Sequence, residues 1–358
     1  MSKITVGILF GGVSSEHEVS CLSAASIIPN VPEDKYELVT VGITKDGRWL
    51  RYEGDVDLIA NGKWSESSSC RPCIISPDRG VHGFVQFNPD GTSENIKIDV
   101  VFPVLHGKNG EDGAMQGLLQ IAGIPFVGCG LLASGICMDK AVTNMLLDHG
   151  GIRRAEWKYM IKEERKNFET FADSCEKDLG YPMFVKPANA GSSVGVSKAK
   201  NRKELEAAVD EAFRHDYKIL VEREIKGQEL ECAVLGNSDP IASVVGEIAP
   251  EADFYDYEAK YITGTSALYI PARIDEKTSN EIRETAVRAY KLLGCAGLSR
   301  VDFLYEKATG LVYLNELNTI PGFTSISMYP KLFDACGIRY PDLIGRLIDL
   351  AYERTEEI

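Results

Sequence analysis

With 358 residues, 44% of them apolar, the chain is long enough for two or three packed domains. Lys+Arg 39 against Asp+Glu 53 gives a formal charge of -14, which excludes a general nucleic-acid or anionic-membrane surface, since both need a basic field. No apolar stretch approaches the roughly 20 residues that span a bilayer, and Met1-Ser2-Lys3 leads into a strand without a signal-peptide pattern, so the cytoplasm is the expected compartment.

Ile4 to Phe10 is a continuous apolar run, as in a strand buried on both faces, and ends at Gly11-Gly12-Val13-Ser14-Ser15-Glu16 before a helix. Such a junction lets a small ligand meet a helix N-terminus. Tyr36 to Ile43 and Asp99 to Leu105 read as further strands. After the second come the loop His106-Gly107-Lys108-Asn109-Gly110-Glu111-Asp112-Gly113, a helix from Ala114 to Ala122 and a strand from Pro125 to Val127. That order predicts a βαβ unit with a parallel sheet. Gly54 to Gly91 is polar and poorly periodic and reads as an insertion. Its Cys70-Arg71-Pro72-Cys73 has redox or half-zinc spacing without a matching second pair, so all nine cysteines are expected to be reduced.

From Leu131 a helix is predicted to His149, then a helical stretch from Glu163 to Leu179 and a strand Met183-Phe184-Val185-Lys186-Pro187. The loop Gly191-Ser192-Ser193-Val194-Gly195 follows, then a strand from Val196 to Lys198, a helix from Arg202 to Phe213 and a strand from Ile219 to Glu222. Glycine and serine between two strands make either a plain hairpin or a cover for phosphate oxygens. Lys140 and Lys186 supply point charges for the second reading. No Walker sequence is present. Gly128-Cys129-Gly130-Leu131-Leu132-Ala133 imitates a dinucleotide fingerprint, but its preceding strand is short and no apolar second strand follows Asp148.

Glu229 to Leu235 and Ile241 to Glu247 read as strands. Pro250 to Ser266 is a polar-aromatic loop suited to be a lid. A helix from Glu276 to Leu293 precedes a hairpin, Leu298 to Asn318, turning at Thr309-Gly310, and Pro341 to Glu353 forms the last helix. Arg300 and Asp302 share one strand face, Glu316 and Asn318 another, and antiparallel pairing brings them together. Asp302, Glu316 and Asn318 are hard oxygen donors suited to Mg2+; the alternative is a solvated polar edge.

Taken in order, Ser15-Glu16-His17-Glu18-Val19-Ser20, Leu105-His106-Gly107, Gly110-Glu111-Asp112-Gly113, Met138-Asp139-Lys140, Val185-Lys186-Pro187, Gly191-Ser192-Ser193-Val194-Gly195, Tyr255-Asp256-Tyr257-Glu258-Ala259-Lys260-Tyr261, Arg300-Val301-Asp302 and Asn315-Glu316-Leu317-Asn318-Thr319 with Pro321-Gly322 resemble the D-alanine–D-alanine ligase family. The resemblance covers essentially the whole chain. It implies an α/β ATP-grasp fold with an N-terminal parallel-sheet, Rossmann-like domain (1–128), a central domain (129–222) and a C-terminal domain (223–358) with the metal site and lid.

The implied activity is ATP-dependent ligation of two D-alanine molecules through an acyl phosphate for peptidoglycan. Implied cofactors are ATP and two Mg2+, with Mn2+ as a substitute. The resemblance gives Lys140 and Lys186 to phosphate, Glu222 and Glu229 to adenine and ribose, and Asp302, Glu316 and Asn318 to the metals. It gives Glu16, linked through Ser192 to Tyr261, to the first ammonium. Arg300 and the Gly322 amide form the oxyanion site, and Lys260 and Ser327 hold the second carboxylate. His106 and Met328 lie at the second subsite. A homodimer is implied. Alternatives are a D-alanine–D-serine ligase of the vancomycin-resistance type and a non-catalytic ATP-binding sensor.

Overall fold

The computed structural model describes residues 3–191, 194–249 and 267–356. The first unit contains β1 (Ile4–Gly11), α1 (His17–Ile27), β2 (Tyr36–Ile43), β3 (Trp49–Arg51), α2 (Val56–Ala60), β4 (Arg71–Ile75), β5 (Gly83–Phe87), β6 (Ser93–Lys97), β7 (Val100–Val104) and α3 (Ala114–Ala122). Their sheet has the order β6-β5-β4-β3-β2-β1-β7. Only β2, β1 and β7 are parallel, and β3 to β6 add antiparallel strands at the far edge. The supposed insertion is therefore part of the sheet; its strands of three to five residues are too short to display a period. Pro125 to Val127 forms an isolated bridge, Val101 to Phe126, rather than a strand.

The second unit follows through α4 (Leu131–Met138), α5 (Lys140–His149), β8 (Trp157–Ile161), α6 (Phe168–Asp178), β9 (Met183–Pro187), β10 (Ser197–Ala199), α7 (Arg202–Ala212) and β11 (Lys218–Arg223). The expected helix from Leu131 breaks at Asp139. There the backbone is extended and the carboxylate caps α5 by accepting from the Ala141 and Val142 amides, both at 3.1 Å. β10-β9-β11-β8 is wholly antiparallel. Val185, Ile219 and Val221 face α6 and α7, so alternation turns Lys186 and Glu222 to the other side.

The third unit has β12 (Gln228–Leu235), β13 (Ile241–Ala249), β14 (Ala267–Tyr269), α8 (Glu276–Leu292), β15 (Leu298–Glu306), β16 (Leu311–Asn318), α9 (Met328–Asp334) and α10 (Tyr340–Glu356). Its antiparallel order is β14-β13-β12-β15-β16. One face, with Cys232, Val301, Phe303 and Leu317, packs on α8. α10 returns to the first sheet: Leu343, Ile344, Leu347 and Ile348 share a core with Val6, Ile8, Phe10 and Phe102.

Trp64 anchors the added strands to the first core. It is 1% exposed, with its ring centroid 4.9 Å from that of Phe10. A Cβ at Gly42 would lie 2.3 Å from the Trp64 ring and 2.8 Å from Phe10. Gly42→Ala should therefore lower the unfolding free energy by about 1–3 kcal/mol through overpacking, measured by denaturant unfolding; unchanged stability would show that Trp64 is not held there.

Candidate active site

The expected β15–β16 pairing forms in register, with Arg300 opposite Asn318 and Asp302 opposite Glu316. Arg300 makes a two-pronged contact with Asp302: Nε to Oδ1 and Nη2 to Oδ2, both at 2.7 Å. Asn318 Nδ2 donates to Asp302 Oδ2 at 3.0 Å. On the adjoining β12, Glu231 lies opposite Asp302, and its Oε2 is 3.2 Å from Arg300 Nε. Glu231 was not singled out from the sequence. The signal was there: Glu229-Leu230-Glu231 alternates, and Leu230 is buried on the α8 side.

Glu16, Lys140, Arg300, Glu316 and Asn318 line one cavity together with Glu111, Ala190 and Gly191. All three units contribute. Glu16 is 7% exposed, and its Oε2 stands where a Cβ on Gly107 or Gly191 would meet it, at 2.4 and 2.5 Å. Gly107 also has φ +68, so glycine is required there for both reasons. Lys140 Nζ donates to the Ala190 carbonyl at 2.7 Å, fixing the ammonium against the glycine loop. A neighbouring cavity is lined by Lys186, Glu222, Asn144, Leu304, Tyr313 and Asn315. Lys186 Nζ lies 2.5 Å from Glu222 Oε2, and Asn144 Nδ2 donates to Glu222 Oε1 at 3.3 Å. Burial alone would lower the Lys186 pKa; Glu222, with help from Glu316, outweighs it and holds the ammonium above its ordinary value. Glu229 is half-buried opposite Leu304, on the face shared with Glu231.

Ser192, Lys260 and Tyr261 lie outside the described residues, as does the whole expected lid. Ser327 is half-buried and its Oγ accepts from the Thr324 amide at 3.0 Å. A Cβ on Gly322 would come 2.8 Å from that oxygen, so Gly322 and Ser327 are neighbours. Met328 is 4% exposed and packs beneath β13, where a Cβ on Gly246 would meet its Cε at 2.3 Å. His106 is 4% exposed, with Nδ1 3.0 Å from the Ile320 carbonyl and Nε2 3.1 Å from Ser23 Oγ, so both ring nitrogens are occupied by protein.

The donor set fits Mg2+. Among the described residues no three His, Cys, Asp or Glu side chains converge as a complete cage; two carboxylates and an amide suit an ion that takes its remaining ligands from water and phosphate. The dinucleotide imitation has another use. Arg354 binds the Gly128 carbonyl and, at 3.0 Å, that of Phe126, while a Cβ on Gly297 would fall 3.0 Å from the Gly128 nitrogen. This is a close backbone crossing. Cys70 and Cys73 are free, and burial pushes the Cys73 thiol up to about 12.

Glu111, quoted in a loop but given no role, links two units: its Oε2 accepts from Gly107 N–H at 2.8 Å and its Oε1 from Ile320 N–H at 3.0 Å. Burial, aided by the Glu16 charge, raises its carboxyl to about 8. The folded state thus favours the protonated form more than the unfolded chain does, and Glu111 subtracts stability as pH rises from about 4.5 to about 8. Glu111→Gln should flatten the decline in unfolding free energy over that window, measured by denaturant titration at several pH values. An equal slope in the variant would refute the assignment.

Residues 5–129 match the family model described as D-ala D-ala ligase N-terminus, and residues 146–349 match the one described as D-ala D-ala ligase C-terminus. A D-alanine–D-alanine ligase of Acetivibrio thermocellus is 51% identical, covering 99% of this chain and 97% of its own. The solved VanG D-Ala:D-Ser ligase of Enterococcus faecalis has a TM-score of 0.89 and 41% identity, over 98% of this chain and 100% of that one. The D-alanine-D-alanine ligase of Coxiella burnetii gives 0.87 and 34%, over 100% and 96%. Matched along nearly its entire length, and with its site residues gathered from all three units, the chain belongs to the D-alanine–D-alanine ligase family and has its ATP-grasp fold.

Proposed function

We propose that the protein joins two D-alanine molecules at the expense of ATP, supplying the dipeptide for peptidoglycan. The observation that carries this reading is the convergence of Glu16, Lys140, Arg300, Glu316 and Asn318 on one cavity, next to the Lys186–Glu222 pair. Such a set can hold an ammonium, a phosphate chain, a divalent cation and an oxyanion within a few side-chain lengths.

Lys186 and Lys140 bind the phosphates as point charges, and Glu222 and Glu229 take the adenine and ribose end. Asp302, Glu316 and Asn318 would hold Mg2+, which neutralises phosphate charge when bound. Glu16 attracts the ammonium of the first D-alanine, placing its carboxylate towards Arg300. That carboxylate accepts the γ-phosphoryl group of ATP, and the amine of the second D-alanine displaces phosphate from the acyl phosphate. Arg300 and the Gly322 amide stabilise the oxyanion of the tetrahedral intermediate that forms when the amine adds, before phosphate leaves. Ser192, Tyr261, Lys260 and Ser327 complete the amino-acid subsites. The division into residues 1–128, 129–222 and 223–358, a homodimeric assembly and a cytoplasmic location belong to the same proposal. Among the described residues no helix is long and apolar enough to cross a membrane.

A second reading, D-serine as the second amino acid, is favoured by the likeness to the VanG D-Ala:D-Ser ligase. One experiment separates the readings: purified protein with Mg-ATP receives equal D-alanine and D-serine, with phosphate release and product mass recorded. Predominant D-alanyl-D-alanine is expected. Predominant mixed dipeptide would establish the second reading, and absence of phosphate release would leave the ATP-binding sensor. In the active protein, Arg300→Leu should lower kcat by about 100-fold, the scale for losing an oxyanion donor; wild-type kcat would remove Arg300 from the reaction.

A further inference from the structure

The loop that carries Gly322 is pinned from the first unit at both ends. His106 follows β7, and its Nδ1 faces the Ile320 carbonyl at 3.0 Å. A carbonyl only accepts, so Nδ1 carries the hydrogen and the neutral ring presents Nε2 as acceptor. Ser23 Oγ, on α1, lies 3.1 Å from Nε2 and donates its hydroxyl hydrogen there. The same Oγ accepts from Phe323 N–H at 3.3 Å. Glu111 accepts from Ile320 N–H at 3.0 Å. Every polar atom in this chain of bonds then has a partner of the right kind. Ser23 is 0% exposed, His106 4%, Ile320 5% and Phe323 1%, so no water competes for these groups.

The consequence lies between the pinned residues. The Gly322 amide belongs to the Pro321–Gly322 peptide, directly between the Ile320 carbonyl held by His106 and the Phe323 amide held by Ser23. Pro321 has its φ fixed by its ring. Few soft torsions remain to let that amide turn. Tyr340 closes the loop from the other side by donating to the Phe323 carbonyl at 2.8 Å.

We propose that Ser23, His106 and Glu111 form a clamp that aims the Gly322 amide at the reacting carboxylate. They are positioning residues, acting through backbone they hold rather than through substrate. This rests on the ligase reading and extends it: the N-terminal unit then supplies Glu16 for the first ammonium and also sets the oxyanion donor borne by the C-terminal unit. Charging His106 would put a hydrogen on Nε2 against Ser23. The charged groups around the ring are Glu16 before α1, Glu111 on its own loop and Arg300 on β15; burial is the largest influence and lowers its pKa.

The test measures kcat and the ATP KM for dipeptide formation in Ser23→Ala, His106→Ala, His106→Asn and Glu111→Ala, with circular dichroism as a check of folding. Each alanine variant should lose at least about tenfold in kcat with the ATP KM unchanged, since the cost falls on the oxyanion site. His106→Asn, whose amide can still donate to the Ile320 carbonyl, should recover part of the loss. Ser23→Ala removes one oxygen and decides the matter if His106→Ala does not fold. Wild-type kcat in Ser23→Ala, or losses matched by a raised ATP KM with no recovery in His106→Asn, would overturn the clamp alone. A wild-type protein releasing no phosphate with D-alanine would overturn the ligase reading together with the clamp.

Discussion

The register between β15 and β16 is the constraint on which the site depends. A slip of one residue would carry the Glu316 and Asn318 side chains to the α8 side and turn the Leu317 side chain out of its core. The apolar residues guard against it, because Val301, Phe303, Val312, Leu314 and Leu317 are all buried in the core beneath α8. Their spacing on β16 is itself irregular: Val312 and Leu314 are two apart, Leu314 and Leu317 three. A strict two-residue period cannot bury all three. The pairing shifts between Asp302 and Phe303, where Asp302 faces Glu316 but Phe303 faces Leu314, leaving Asn315 as the extra residue. The bulge resets the phase, so one strand buries its three apolar residues and still sends two polar ligands to the site.

That arrangement crowds like charge. Glu16, Glu111 and Glu316 line the same cavity as Arg300 and Lys140, with Asp302 and Glu231 bound to Arg300 beside it. Five carboxylates thus meet two cations. Burial first, and then the Glu16 charge, hold the Glu111 carboxyl up, and the excess of carboxylates suits a site whose ligands bring an ammonium and divalent cations. Phosphate needs the opposite field, which on the proposed reading Lys140 and Lys186 supply locally in a chain whose total charge is -14. Net charge excluded nucleic acid as a partner without excluding a nucleotide, because a nucleotide needs only two or three fixed cations.

The parts legible in the sequence were those where short-range rules coincide with the tertiary result. The alternation in Leu298–Asp302 placed Arg300 and Asp302 on one face, since the other side of that sheet is covered by α8. Glu231 was missed because its strand reads as an ordinary amphipathic segment until β15 lies beside it. Glu111 was missed because its partner, the Ile320 amide, is 209 residues away. Proximity to a site in sequence says nothing about which way a helix turns, and α9 turns its first residue beneath Gly246. His106 was placed in the correct region, but only coordinates reveal that Ser23 and Ile320 occupy both nitrogens.

The three units are joined by buried apolar surface supplemented by polar contacts. Phe323, Tyr329, Leu343 and Ile348 share one core with Val6, Phe10 and Phe102, so the first and third units meet through buried apolar surface. Parting them would expose several aromatic rings to water, each worth about 1.5–3 kcal/mol when fully buried. The central sheet has a core of its own, drawn from Met160 to Val221. Near the site the central unit also meets the third unit through apolar packing, with Cys137, Leu147 and Ile152 in one core with Ile282, Ala286 and Leu317, and the Leu314 amide donates to the Arg153 carbonyl at 2.9 Å. Glu16, Arg300 and the Gly322 loop lie on the side where apolar burial holds the first and third units together. Glu16 Oε2 also stands 2.5 Å from where a Cβ on Gly191 would lie, so the central unit bears on the same cavity.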